Sequence, residues 1–326
     1  MKTGRLQTLL AVVDPARPGE VLAAAAELAE RYDAAITVLS CVEPPRDLKS
    51  MAKACGTSPQ SLLQALIDAQ RRSLEALVDE QLGSRTRAVR VQSGKPFIEI
   101  IRCAAEIGAD LVIKAADPPL GRGRFLLAST DQHLLRKCPC RVWIQSAGGS
   151  AKPRRVIAAV DADDWDAAEP ETLRGLNRAV IETARALAAP DGEVIALHAW
   201  EAAAEGPLWA FGGGADARQA ADRYVKEVRQ RRDEALHALV SPFWNDGRNL
   251  GAAVSPRLVR GRPEEVIETE ADALGADAVV IGTVARTGVG GVIIGNTAEN
   301  IINALQRSVI AVKPEGFVTP LRLERR

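Results

Sequence analysis

The chain repeats itself. Shifted by 167 positions, Gly94–Val142 lies on Gly261–Val309 without a gap, and 12 of those 49 pairs are identical. Ordinary composition would give about one match in fifteen. The matches include Gly94/Gly261, Pro96/Pro263, Gly108-Ala109-Asp110 with Gly275-Ala276-Asp277, Gly121/Gly288 and Thr130/Thr297. Internal symmetry of this kind fixes the architecture before any motif is considered: one fold is written twice.

Within each copy, short Val/Ile/Leu runs alternate with longer Ala/Leu/Glu/Arg stretches, the pattern of β-α units around a parallel sheet. In the first copy the pattern predicts strands over Leu6–Val13, Ile36–Val42, Ala88–Gln92, Leu111–Ala115 and Arg141–Gln145. Helices are predicted over Glu20–Tyr32, Pro59–Gln81, Pro96–Ile107 and Thr130–Lys137. The second copy predicts strands over Val156–Val160, Val194–Trp200, Val254–Val259, Ala278–Gly282 and Val309–Val312. Its helices fall over Glu171–Leu187, Arg218–Leu239, Pro263–Leu274 and Thr297–Leu305.

These readings divide the chain into a first domain at 1–146, a second at 153–315 and a tail at 316–326. The Gly/Ser-rich stretch Ser146–Pro153 reads as a flexible linker. Asp14 matches Asp161 at an offset of 147, so the second copy gains 20 residues before Gly261. Part of the gain lies in Ala162–Pro170. Another part is Glu205–Gly214, a Gly-rich and aromatic segment that reads as a loop packed on its own domain, a lid or a docking loop.

The balance of 42 basic against 42 acidic residues gives no support to a nucleic-acid surface or to an anionic membrane as partner. No apolar run approaches the ~18 residues of a spanning helix, and Leu9–Val13 is too short for a signal peptide. Five irregularly spaced cysteines fit reduced thiols and a cytoplasmic location.

In an open parallel sheet, ligands bind outside the carboxyl ends of the strands where the strand order reverses. In the second copy three strand ends converge there: one leading to Asp161, one carrying His198-Ala199-Trp200, and one ending in Ile281-Gly282. Glycine at a strand end admits a close backbone approach. The glycines Gly288, Gly290 and Gly291 follow, and Gly295-Asn296-Thr297 then opens a helix, whose free N–H groups favour an anion such as phosphate. Asp161 offers an acceptor to a ribose or an adenine amine. Asn296 with Glu299 also forms an ordinary capping box, which needs no ligand.

This string resembles the universal stress proteins. Their ATP-binding members carry Gly, two residues, Gly, nine residues, then Gly-Ser/Thr. Here the match runs Gly282, two residues, Ala285, nine residues, Gly295, Asn296, Thr297. The resemblance covers both copies and implies an α/β fold of two tandem five-stranded parallel-sheet domains, Rossmann-like and similar to the adenine-nucleotide alpha hydrolases. It implies stress response by binding, with ATP or AMP at Asp161, Ala199, Ile281, Gly282, Gly295, Asn296 and Thr297; a role for magnesium is left open. Two departures stand out: Ala285 replaces a motif glycine, and Asn296 interrupts the final pair. Single-domain relatives pair through their last strands, so the resemblance places Arg141–Gln145 against Val309–Val312 as an internal pseudo-dimer, with Trp143 buried there. A further homodimer is compatible with it.

In the first copy Ala115, Pro118 and Ala128 replace Gly282, Ala285 and Gly295. Proline offers no N–H, so this copy is expected not to bind nucleotide in the family manner. The Cys138-Pro139-Cys140 pair with His133 matches no zinc spacing, and no metal ligand is expected. His198 reads as a hydrogen-bonded structural histidine. No Gly-x-Ser-x-Gly elbow and no Walker lysine occur, so no catalytic residue is assigned. Two other readings remain: a slow ATPase in the second copy, and a carrier of an apolar, non-nucleotide ligand.

Overall fold

The computed structural model describes residues 6–18, 20–82, 86–117, 129–163, 167–207, 215–244, 251–283, 298, 300–301 and 306–321. The first copy contributes β1 (Thr8–Val12), α1 (Val21–Tyr32), β2 (Ala35–Val42), α2 (Leu48–Ala54), α3 (Pro59–Gln81), β3 (Thr86–Ser93), α4 (Pro96–Ile107), β4 (Leu111–Ala115), α5 (Ser129–Lys137) and β5 (Arg141–Gln145). The second contributes β6 (Arg155–Ala159), α6 (Pro170–Leu187), β7 (Glu193–Trp200), α7 (Ala215–Val240), β8 (Ala253–Arg260), α8 (Pro263–Ala273), β9 (Ala278–Gly282) and β10 (Ser308–Val312).

Among the described residues, ten strands form one sheet in the order β3-β2-β1-β4-β5-β10-β9-β6-β7-β8. Every pairing is parallel except β5 with β10, where Trp143 faces Ile310 across an antiparallel junction. The last strands of the two copies therefore meet as the resemblance implied. Trp143 is fully buried, and each copy's inner edge strand is covered by the other's rather than left open for foreign pairing.

The central strands are near-continuous Val/Ile/Leu/Ala runs because both faces are covered. One face buries Val21, Leu28, Leu74, Leu176, Val180 and Leu236 from α1, α3, α6 and α7. The opposite face buries Ile100, Ile101, Leu134, Val266 and Ile267 from α4, α5 and α8. The result is three layers, helix on sheet on helix, spanning both copies.

The repeated Gly-Ala-Asp triplets have identical work in both copies. Gly108 and Gly275 adopt φ 61 after α4 and α8, a left-handed turn that glycine makes at little cost. Ala109 N–H then returns to Ala104 O, and Ala276 N–H to Ala271 O. Asp110 Oδ2 accepts from Gln7 N and Thr8 N at 2.8 and 2.9 Å, and Asp277 Oδ2 accepts from Arg154 N and Arg155 N at 2.7 and 2.9 Å. Each Gly-Ala-Asp thus ends one helix and clasps the start of its copy's first strand.

Two elements differ from expectation. The seven-residue α2 follows Pro44-Pro45 and is too short to show a helical period. The linker forms a pinned turn: Gly149 N donates to Ser146 O at 2.9 Å, Ser146 N donates to Ser308 Oγ at 3.2 Å, and Lys152 pairs with Glu27 at 2.5 Å.

Candidate functional site

In the second copy the strand order reverses between β6 and β9, which lie side by side with Ala159 opposite Ile281. Asp161 follows β6, Ala199 lies on the neighbouring β7, and Ile281-Gly282 closes β9, so these four candidate residues converge at one end of the sheet. Gly295, Asn296 and Thr297, together with the glycines of the preceding segment, lie outside the described residues.

Asp161 is held by its backbone. Asn177 of α6 accepts from Asp161 N at 3.0 Å through Oδ1 and donates to Asp161 O at 2.6 Å through Nδ2. The Asp161 side chain accepts from Asp163 N at 3.2 Å. Asp14, its counterpart, accepts from Ala16 N at 3.0 Å and pairs with Arg17 at 3.3 Å, capping its own turn.

Gly282 has a packing role that the sequence did not show. A Cβ there would sit 2.7 Å from Leu176 Cδ2, so the buried Leu176 occupies the room a side chain would need. The absence of a side chain at 282 is explained by α6 lying close on β9, and a ligand on that side of Gly282 would have to displace Leu176.

Three further residues complete this end of the second copy. Asp163 is buried, and Arg232 of α7 grips it with Nε at 2.8 Å from Oδ1 and Nη2 at 2.9 Å from Oδ2. His198 is 2% exposed. Its Nδ1 faces Val160 O at 3.2 Å and Ala162 N at 3.4 Å, while Nε2 lies 3.4 Å from Asp163 Oδ1. Burial raises the Asp163 carboxyl pKa, and the His198 ring and Arg232 guanidinium outweigh it, holding the group at about 2. Two cations lie near the Trp200 ring, Arg232 at 5.8 Å and Arg260 at 5.7 Å from its centre. His198 has the structural contacts expected of it; Asp163, Asn177 and Arg232 carried no recognisable spacing.

The first copy answers the same positions differently. Lys114, which aligns with Ile281, is buried and donates to Asp131 Oδ1 at 2.9 Å and to Asp117 Oδ1 at 2.5 Å. Asp131 Oδ2 also accepts from Asp117 N at 2.9 Å. Asp131 stands in the first turn of α5, where helix N–H groups favour an anion, and it aligns with the buried Ala298. Burial raises the Asp131 carboxyl pKa, with Lys114 opposing.

Cys138 and Cys140 are buried with sulfurs 3.6 Å apart. His133 instead stacks on Phe97 at 4.1 Å.

Comparison with known proteins assigns the family. A model of the universal stress protein family matches residues 6–145 and again 153–313. The chain belongs to the universal stress protein family. It is 30% identical over 235 residues to universal stress protein E of Escherichia coli K12, spanning 72% of this chain and 70% of that protein. A homolog of that protein in Haemophilus influenzae is 29% identical over 212 residues, spanning 63% of this chain and 62% of that one. Among solved structures, a functionally unknown protein from Pseudomonas aeruginosa PAO1 superposes with a TM-score of 0.65 at 22% identity, covering 95% of this chain and 93% of its own. A universal stress protein from Archaeoglobus fulgidus superposes with a TM-score of 0.54 at 15% identity, covering 96% and 98%. The tandem α/β fold is thus that of the family, and its members serve stress response. No described helix is long and apolar enough to cross a membrane.

Proposed function

We propose that this universal stress protein works in the cytoplasm by binding an adenine nucleotide, ATP or AMP, in its second copy, without relying on turnover. The observation that carries the reading is the contrast between the first copy's Lys114–Asp131 pair and the residues aligned with it in the second copy. The first copy supplies its own carboxylate, Asp131, to the N-terminal turn of α5 and neutralises it with Lys114. The second copy has Ala298 and Ile281 at the matching positions, preceded by a glycine-rich segment ending in Gly295-Asn296-Thr297. With no carboxylate at position 298, an anion for that helix start can be supplied by a ligand, and a nucleotide phosphate suits the charge. Asp161, clamped by Asn177, is set to accept from the ribose or the adenine amine, with Ala199 and Ile281 as apolar flanks. Leu176 beside Gly282 directs the ligand toward the Asp161 side of the strand ends. The first copy is, on this reading, a structural partner whose own crevice is closed by an internal ion pair.

The test is direct. Purified protein is denatured and the released small molecules are identified by mass spectrometry. ATP or AMP is the expected result. A released acyl chain would instead favour a carrier of apolar ligands, and turnover above background with magnesium would require an enzyme.

A further inference from the structure

Cys138 and Cys140 stand apart from the other thiols of the chain. Their sulfurs face each other at 3.6 Å, across a bend at Pro139 between the end of α5 and the start of β5. A buried cysteine is ordinarily a small apolar side chain. Cys41 and Cys103 fit that description. Cys41 meets Pro96 O, and Cys103 accepts from Arg90 at 3.7 Å. Burial raises both thiols, Cys41 to about 12, so both keep their protons.

A buried cation is the second observation. Lys313, just past β10 in the other copy, is 1% exposed. Its Nζ donates to Leu135 O and Arg136 O, immediately before Cys138. The charges acting on it are those of Cys138 and Cys140. An ammonium out of water calls for negative charge nearby, and a Cys138 thiolate supplies it. The hydrogen bond from Cys140 holds the Cys138 thiol below its usual range against the cost of burial, with Lys313 adding its charge. The same bond pushes Cys140 up, so that thiol stays protonated. The frame does not demand this set. By the repeat offset of 167, Leu305, Gln306 and Arg307 stand where the first copy has Cys-Pro-Cys, and Ser146 is the counterpart of Lys313.

We propose that Cys138 and Cys140 are a site of reversible oxidation, which closes to an intramolecular disulfide on reaction with a hydroperoxide. The Cys138 thiolate bonds to one peroxide oxygen as the O–O bond breaks. The other oxygen leaves as hydroxide, matched by the proton Cys138 gave up on ionising. The Cys140 sulfur then bonds to the Cys138 sulfur, the S–O bond breaks, and the hydroxyl leaves as water with the Cys140 proton. Two electrons pass from the thiols to the peroxide, and a dithiol returns them by exchange. Closure brings the sulfurs from 3.6 Å to about 2.05 Å. Pro139 has no N–H to give up as the bend tightens. Cys138 is fully buried and Cys140 is 7% exposed, so a small peroxide suits the site and a protein disulfide does not.

The proposal goes beyond the nucleotide reading and is tested without nucleotide. Full-length protein carrying Cys55→Ser, which removes the exposed thiol, is treated with a small excess of hydrogen peroxide. It is then unfolded in an alkylating reagent, digested with trypsin and weighed by mass spectrometry. The expected result is a peptide Cys138–Arg141 that takes up no alkyl group and is lighter by two hydrogens, while Cys41 and Cys103 are alkylated in full. Dithiothreitol added before unfolding should restore both alkylation sites. Lys313→Met should slow closure at pH 7 about tenfold, the change in thiolate fraction for one pKa unit. Alkylation of Cys138 and Cys140 as complete as that of Cys41 and Cys103 would overturn the assignment. So would sulfinic or sulfonic acids in place of the disulfide, or bridges to other cysteines. Closure in Lys313→Met at the wild-type rate would overturn the part given to Lys313.

Discussion

Asp277 holds two backbone amides on one carboxylate oxygen, and its alanine variant would strand both donors at the start of β6. Leaving such groups unpaired costs about 1–3 kcal/mol each when buried. Since Arg154 is exposed and Arg155 only partly buried, Asp277→Ala should lose about 2 kcal/mol in denaturant unfolding, and a loss near zero would contradict the clasp. Lys313 gives a pH signature. It is buried, with Nζ donating to Leu135 O and Arg136 O at the end of α5. Burial pushes its pKa down from 10.5 to about 8, against the opposing pull of Cys138 and Cys140. Between those two values the unfolded chain keeps a proton that the native chain has released, so this group makes stability rise with pH there. The melting temperature of the wild type relative to Lys313→Met should therefore climb from about pH 8 to about pH 10. A flat or falling difference would contradict the assigned burial cost.

At the scale of elements, the contact between α6 and β9 makes the sharpest claim. Gly282→Ala would place a methyl 2.7 Å from Leu176 Cδ2 and should cost about 1–3 kcal/mol by overpacking. Leu176→Ala should relieve that cost, so the double variant departs from additivity; additive losses in a double-mutant cycle would show that the two residues do not meet. The same element scale shows what the residues disclosed. Strands β4, β5 and β9 run as read from their apolar runs, because strands buried on both faces need little else. Pro256 did not spoil β8, since this strand is at the sheet edge, where a missing N–H is tolerated. Helix α2 escaped notice for want of length. The Asp163–Arg232 pair, 69 residues apart, escaped because nothing local marks a contact made only by folding α7 over β7. Asp161 was legible through its match to Asp14; its clamp by Asn177 was not.

At the scale of the whole molecule, the two copies are joined through the β5–β10 seam and through caps that cross between them. Arg31 of α1 donates to Ala188 O at 2.6 Å and Tyr32 to Ala186 O at 2.9 Å, at the end of α6. Lys313 makes the reverse reach to α5. Residues 1–146 expressed alone would expose the β5 edge and Trp143, an open strand ready to pair. Such a fragment should dimerise in sedimentation or light scattering, and Trp143→Lys should prevent this; a monomeric wild-type fragment would contradict the seam's energetic weight. The copies are alike in frame and unlike in charge at the strand ends, and this asymmetry is what the functional reading rests on. Calorimetric titration of ATP into the full-length chain tests it most directly. The expected result is one nucleotide per chain, abolished by Gly295→Asp and unchanged by Asp131→Asn. Two nucleotides per chain, or binding that survives Gly295→Asp, would contradict it.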